Sequence, residues 1–222
     1  MPLIAVIDTA TPAVTAAVAE VTPAGVTVRA ERTTVDARAH GELLAPQLAA
    51  ALAEAGAAPG DLAAVVAGTG PGPFTGLRVG LVTAAALAAA LGVPAYGVCS
   101  LDALGYAAAE GTLVATDARR KEIYWAVYAA GVRRAGPAVG RPGDVAGLLG
   151  ELGAVRAVGE GARRYAGVLG LPVDGPAYPP PAALAALAAG RVRAGAPAEP
   201  LTPLYLRRPD AAEPAGRKRV LA

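Results

Sequence analysis

Two stretches constrain the fold more than any others. LIAVIDTATPAVTAAV, beginning at Leu3, and TLVATDARRKEIYWAVY, beginning at Thr112, each read as strand, acidic residue, turn and returning strand. The alternation of Ile123, Trp125 and Val127 with Tyr124, Ala126 and Tyr128 is the period of two that a strand needs. A unit used twice in 222 residues points to an internally duplicated α/β fold, with each half opening on a hairpin that carries an aspartate at its bend. A third strand, GVTVRAERT from Gly25, extends the first hairpin into an antiparallel meander.

The first half continues with a helix over 38–55, where Leu44, Leu48 and Leu52 recur at four-residue spacing, Pro46 kinks the helix or marks its first turn, and Gly56 stops it. The strand LAAVVAG then enters a bend, GTGPGPFTG, that opens an alanine-rich helix over 75–91. Beyond it lie the strand VPAYGV, the helix SLDALGYAAAE with Ser100 as its N-cap, and the second hairpin. From Gly131 the pattern loosens to short apolar pieces and one helix, PAALAALAAGRVRAG. The stretch beginning PLYLRR reads as a strand or anchor before the chain end. The expected organisation is residues 1–104 and 105–206 as two subdomains, each a mixed sheet flanked by helices, and 207–222 as a basic, flexible tail.

The bend stands where a phosphate cradle would stand, yet it lacks the Gly-Lys-Ser/Thr ending and fails Gly-x-Gly-x-x-Gly from either Gly68 or Gly70. Pro71 and Pro73 also delete two backbone donors. The glycines Gly68, Gly70 and Gly72 instead suit a sharp, positive-φ path, stiffened by proline, with Thr75 accepting from the Arg78 N–H as a cap. The helix then shows Gly76, Gly80, Ala84 and Ala88 at four-residue spacing, a stripe that admits another backbone at close range. That backbone can be the chain's own sheet or a partner's helix. If the stripe is a docking seam, Gly80→Arg abolishes pairing and leaves the fold intact.

Other chemistry is sparse. His40 is the single histidine and Cys99 the single cysteine, which leaves no paired histidines or cysteine cluster for a metal and no internal disulfide. His40 reads as a helix-capping residue, and Asp8 and Asp117 as turn-capping aspartates at strand ends, each without a neighbouring carboxylate. Charge is unevenly placed: residues 1–116 carry a formal −5 and residues 117–222 a formal +7, with Arg119, Arg120 and Lys121 at the hairpin turn. A polyanion such as RNA is one use for that asymmetry, and solvated arginine is the other. The apolar run over 79–101 is mostly alanine, broken by Gly92, Pro94 and Gly97, so no membrane span is expected. No secretory signal opens the chain, and a cytoplasmic location is expected.

IDTATPAVTAAV, GPGPFTGLRVGLVTAAALAAALGVPAYGVCSLDAL, DARRKEIYWAVY and PLYLR are similar, in that order and spacing, to the bacterial TsaB (YeaZ) family, over residues 3 to about 130. The run Phe74-Thr75-Gly76-Leu77-Arg78 is the most specific part, and Pro73 departs from it where serine is usual. The resemblance implies a duplicated actin/Hsp70/sugar-kinase-like (ASKHA) fold and a role in forming threonylcarbamoyladenosine in tRNA. It implies a non-catalytic scaffold subunit, without cofactor or metal, that pairs with a TsaD-like transferase, is joined by a TsaE-like ATPase and meets tRNA within that complex; a homodimer through the same helices is the further possibility. The matching interface positions are Leu44, Leu48, Leu52, Gly76, Leu77, Gly80, Ala84 and Ala88; the bend is carried by Gly70, Gly72, Phe74, Thr75 and Arg78. Asp8, Thr9 and Asp117 mark a degenerate nucleotide loop, in which Ala10 stands where nucleotide-binding relatives place glycine. The rival readings are an ATP-dependent phosphotransferase of the same fold and an RNA-binding module.

Overall fold

The computed structural model describes residues 1–207. The part of the expected basic tail beyond Arg207 lies outside the described residues.

The first half runs β1 (Leu3–Asp8), β2 (Ala13–Thr22), β3 (Gly25–Val35), α1 (His40–Glu54), β4 (Leu62–Gly68), α2 (Phe74–Leu91) and β5 (Ala95–Val98). Its sheet has the order β3-β2-β1-β4-β5, antiparallel through the meander and parallel from β1 to β4 to β5. After α3 (Ser100–Gly105), the second half runs β6 (Thr112–Asp117), β7 (Ile123–Ala129), β8 (Val132–Gly140), α4 (Pro142–Leu148), β9 (Arg156–Val158), α5 (Glu160–Arg164) and α6 (Ala166–Leu169). Its sheet order, β8-β7-β6-β9, repeats the first with one strand fewer. A single parallel bridge, Ala157 to Val173, stands where the fifth strand would pair. The duplication expected from the two hairpins is therefore present in topology.

Both faces of the first sheet are covered, which is why β1 and β4 read as unbroken apolar runs. Ala5, Ile7 and Val14 face Leu44, Leu48, Leu52, Leu77 and Leu81 of α1 and α2. On the opposite face Ile4, Val6 and Tyr96 meet Leu184 and its neighbours in α7 (Pro181–Arg193), so α7 follows the second sheet in sequence but packs on the first. Each fully buried leucine contributes about 1.5–3 kcal/mol through lost water contact. Leu113, Ile123 and Val127 pack under α4 to α6, while Val114, Tyr124 and Tyr128 meet Leu101 and Leu104 of α3. That places α3 at the junction between the halves.

Two local expectations change, and one open alternative is decided. The helix from Ser100 stops at Gly105, well short of Glu110. The loosened stretch after Gly131 contains β8, with Pro137 inside it, tolerated because β8 is an edge strand. The stretch from Pro203 is an anchor and not a strand: the Leu204 N–H donates to the Thr69 carbonyl at 2.9 Å. The α2 helix has the length and apolarity of a membrane span, but Leu77, Leu81, Ala84 and Ala88 lie in the core, and Gly92, at φ 66°, ends the helix and turns the chain toward β5.

Candidate functional site

A cleft of about 340 Å³ lies between the halves, bounded by the β1–β2 turn, the N-termini of α1 and α2, the β6–β7 turn and Arg207. The residues expected to matter divide sharply between those that reach it and those that do not.

Asp8 is only 1% exposed and does not line the cleft. Its carboxylate accepts from the Ser100 hydroxyl at 2.6 Å and from the Ala10 N–H at 3.0 Å. The Ser100 hydroxyl in turn accepts from the Gly70 N–H at 3.2 Å. A methyl group on Gly68 would stand 1.8 Å from the Asp8 carboxylate, so glycine is required there for close approach. Burial pushes the Asp8 carboxyl up to about 6, against the lowering effect of its hydrogen bonds. Asp8 is a structural tie between β1, the bend and α3, in line with its turn-capping reading. Ser100 is the first residue of α3 and not its N-cap, because its hydroxyl is committed to Asp8.

Thr9 is equally committed. Its hydroxyl donates to the Gly76 carbonyl at 2.8 Å and accepts from the Gly80 N–H at 3.0 Å, joining a donor and acceptor four residues apart on α2. His40, the first residue of α1, donates from Nε2 to the Thr11 carbonyl at 2.8 Å, which fixes the Nε2–H tautomer. Its ring lies 3.3 Å from the place a Gly76 methyl would occupy. His40 therefore locks the β1–β2 turn beneath α2 and makes no side-chain cap.

These contacts settle the direction of the glycine seam. A methyl on Gly80 would stand 2.3 Å from the Thr9 hydroxyl oxygen. Gly76, Leu77, Gly80, Ala84 and Ala88 are buried in the chain, as are Leu44, Leu48 and Leu52 of α1. The expected docking positions on both helices are thus core positions: the backbone that the small residues admit is the chain's own β1–β2 turn. The bend is occupied in the same way. Gly70 takes the positive φ, 89°, whereas a methyl on Gly72 would come within 2.2 Å of the Ala10 carbonyl, so Gly72 serves close packing and not a left-handed path. Pro73 precedes α2, and Thr75, exposed in its first turn, makes no capping bond.

What α1 and α2 show outward is mostly apolar, with Glu42 and Glu54 toward the ends of α1 and Arg78 near the start of α2 the exposed charges. Val82 is 62% exposed and Phe74 52%, and Ala85, Ala86, Ala89 and Ala90 continue the surface of α2. Ala45, Pro46, Ala49, Ala50 and Ala53 are the exposed residues in the body of α1. The Phe74 ring meets Tyr205 with centroids 5.1 Å apart and carries the Arg78 guanidinium at 4.9 Å. Sequence reading missed Tyr205, Ser100 and Arg38 as site residues, since nothing local ties them to Phe74, Asp8 or the cleft.

Asp117, the counterpart of Asp8, does line the cleft. Its carboxylate pairs with Arg164 at 3.2 Å, and its N–H donates to Glu160 at 2.7 Å. Burial raises the Glu160 carboxyl to about 7, against the lowering effect of the Asp117 N–H that it accepts. Among the described residues no group of three His, Cys, Asp or Glu side chains is placed to hold a metal ion.

Residues 27–176 match the family model described as TsaD, tRNA N6-adenosine threonylcarbamoyltransferase. An uncharacterized protein of Mycobacterium tuberculosis is 54% identical over 205 residues, 92% of each chain. The tRNA threonylcarbamoyladenosine biosynthesis protein TsaB of Escherichia coli is 36% identical over 96 residues, 41% of this chain and 42% of that one. The solved YeaZ structure from Pseudomonas aeruginosa superposes with a TM-score of 0.73 at 29% identity, covering 93% of this chain and all of the other. The chain belongs to the TsaB (YeaZ) family. Its fold is accordingly the duplicated actin/Hsp70/sugar-kinase-like architecture, with two mixed sheets flanked by helices.

Proposed function

We propose that this TsaB-family protein is a non-catalytic scaffold subunit in the formation of threonylcarbamoyladenosine in tRNA, docking on a TsaD-type transferase through the outward faces of α1 and α2. Family membership supports the pathway. The observation that carries the docking role is the surface of those two helices, where alanine, proline and valine stand exposed side by side and charge is confined to Glu42 and Glu54 toward the ends of α1 and Arg78 in the second turn of α2. Paired helices of this size accommodate a standard interface of roughly 1,200–2,000 Å². The scaffold reading draws support from the fate of the polar residues nearest the bend: Asp8, Thr9 and His40 are each spent on holding β1, α1, α2 and α3 together.

A TsaE-like ATPase and tRNA join the same assembly, in a cytoplasmic setting, and self-association through α1 and α2 competes with the transferase for one surface. The test is a reconstitution. The purified chain, a TsaD-type transferase, a TsaE-type ATPase and substrate tRNA together should yield threonylcarbamoyladenosine. Omitting this chain should abolish the product, and the chain alone should neither modify tRNA nor hydrolyse ATP. Turnover by the isolated chain would favour the phosphotransferase reading instead, and salt-sensitive tRNA binding by it would favour the RNA-binding one.

A further inference from the structure

Three cations in a row form the turn that joins β6 to β7, and their backbone is unusual for such residues. Arg119, Arg120 and Lys121 stand at φ 62°, 50° and 62°. The Glu122 N–H donates to the Arg119 carbonyl at 2.9 Å and the Ala118 N–H to the Glu122 carbonyl at 3.0 Å, so the hairpin closes tightly around them. Positive φ at consecutive turn positions suits glycine or asparagine, because a Cβ there is crowded by a backbone carbonyl. All three residues are exposed, so burial does not offset the crowding. Long cations held in a strained turn point to a use outside the fold.

The flanks of the turn add further cations and engage the carboxylates that would neutralise them. The register that sets Ile123 opposite Gly140 brings Arg141 alongside Glu122. On the other flank α5 carries Arg164, which pairs with Asp117 at the end of β6 at 3.2 Å. Glu122 is taken by Arg207, also at 3.2 Å. Asp144, in the first turn of α4, forms no ion pair with Arg141. Among the described residues, the side chains of Lys121 and Arg141 make no hydrogen bond or ion pair. Arg119 lines the cleft, but Arg120, Lys121, Arg141 and Arg164 lie outside its lining and are exposed across the end of the second sheet. Over residues 117–207 the chain carries twelve Arg or Lys against seven Asp or Glu, whereas residues 1–116 are formally −5. An open row of cations on the electropositive half suits the spaced phosphates of a nucleic acid better than one small anion, which needs an enclosing pocket.

We propose that the β6–β7 turn, with Arg141 and Arg164 on its flanks, is the surface through which this chain meets the phosphate backbone of tRNA. The inference rests on the reading that the chain serves a tRNA-modifying assembly, and it names a surface apart from the docking helices and the cleft. Fluorescence anisotropy of labelled tRNA with the reconstituted pair of this chain and a TsaD-type transferase, over a range of salt, tests it. Lys121→Gly combined with Arg141→Ala removes two cations and puts glycine where positive φ favours it, so the variant should keep the wild-type urea midpoint. Its tRNA affinity should fall at least about tenfold at about 0.1 M salt, and the slope of log affinity on log salt should shrink by about 2, one for each lost phosphate contact. Arg134→Ala combined with Arg193→Ala removes two exposed cations from the opposite end of β8 and from α7 and should leave both quantities unchanged. Pairing with the transferase is measured in parallel by calorimetry. A wild-type chain that does not pair sinks the scaffold reading alone; the substitutions are then read on the chain by itself, where the same loss of tRNA binding is required. Unchanged tRNA affinity and salt slope in a folded variant, or a loss of pairing with the transferase in place of a loss of tRNA, would overturn the proposal.

Discussion

The two halves share a topology and differ in what they have been built to carry. In the first, α1 and α2 run for 15 and 18 residues, and in the second α4, α5 and α6 run for 7, 5 and 4. The first sheet has a fifth strand; the second has one bridge at Val173 in its place. The aspartate closing the first strand of each half shows the same divergence. Asp8 is sealed under Ser100 and Gly68, whereas Asp117 opens on the cleft and pairs with an arginine that is 61% exposed. A duplicated fold can thus spend one copy on a rigid, helix-faced platform and the other on a cleft wall, because each copy buries a core of its own beneath different helices.

The largest way to break this contrast is Gly80→Arg. With the seam internal, the side chain has no room beside Thr9, and the variant should lose about 3 kcal/mol or more, read as loss of the cooperative urea transition in circular dichroism. That outcome reverses the expectation drawn from the sequence, in which the fold survived.

Asp8 should give the next effect, through pH. Its carboxyl titrates near 6 in the folded chain against 3.8 when free, so the folded state favours the protonated form. The stability this provides is full below about 3.8 and is lost as pH rises through 6, a difference of about 3 kcal/mol. Asp8→Asn retains an acceptor for the Ala10 N–H and removes the titration. Its stability relative to wild type should therefore improve between pH 4 and pH 7, measured by urea midpoints. Glu160, raised to about 7, acts in the same direction in the second half, so Asp8→Asn should flatten only part of the wild-type profile.

Thr9→Val removes the hydroxyl that serves both Gly76 and Gly80 and should cost about 1–3 kcal/mol. Arg164→Ala removes the corresponding polar contact of the second half. With Arg164 mostly in solvent, the loss should stay under about 1 kcal/mol. Equal losses from the two substitutions would erase the distinction between a load-carrying first half and a solvated second half.

The duplication, the meander and both long helices were legible because their period and β-branched content are local properties. The direction of α2 was not. A helix of Gly, Ala and Leu is apolar all round, so nothing in its periodicity separates inward Ala84 and Ala88 from outward Ala85, Ala86, Ala89 and Ala90. β8 escaped notice because an edge strand with Arg133, Arg134 and Pro137 lacks the buried alternation that marks a strand. The Asp8–Ser100 tie spans 92 residues and the Phe74–Tyr205 stack spans more, and contacts at that separation leave no trace in a single sequence.

The central claim is that the outward faces of α1 and α2, and not the glycine seam, form the docking surface. Calorimetric titration of a TsaD-type transferase with wild-type chain and with Ala86→Arg addresses it most directly, since Ala86 is exposed on α2 and its replacement leaves the core alone. The account predicts wild-type unfolding for the variant and a loss of affinity of at least about a hundredfold, on the scale of a charge buried in an interface centre. Unchanged affinity in a normally folded variant would contradict it.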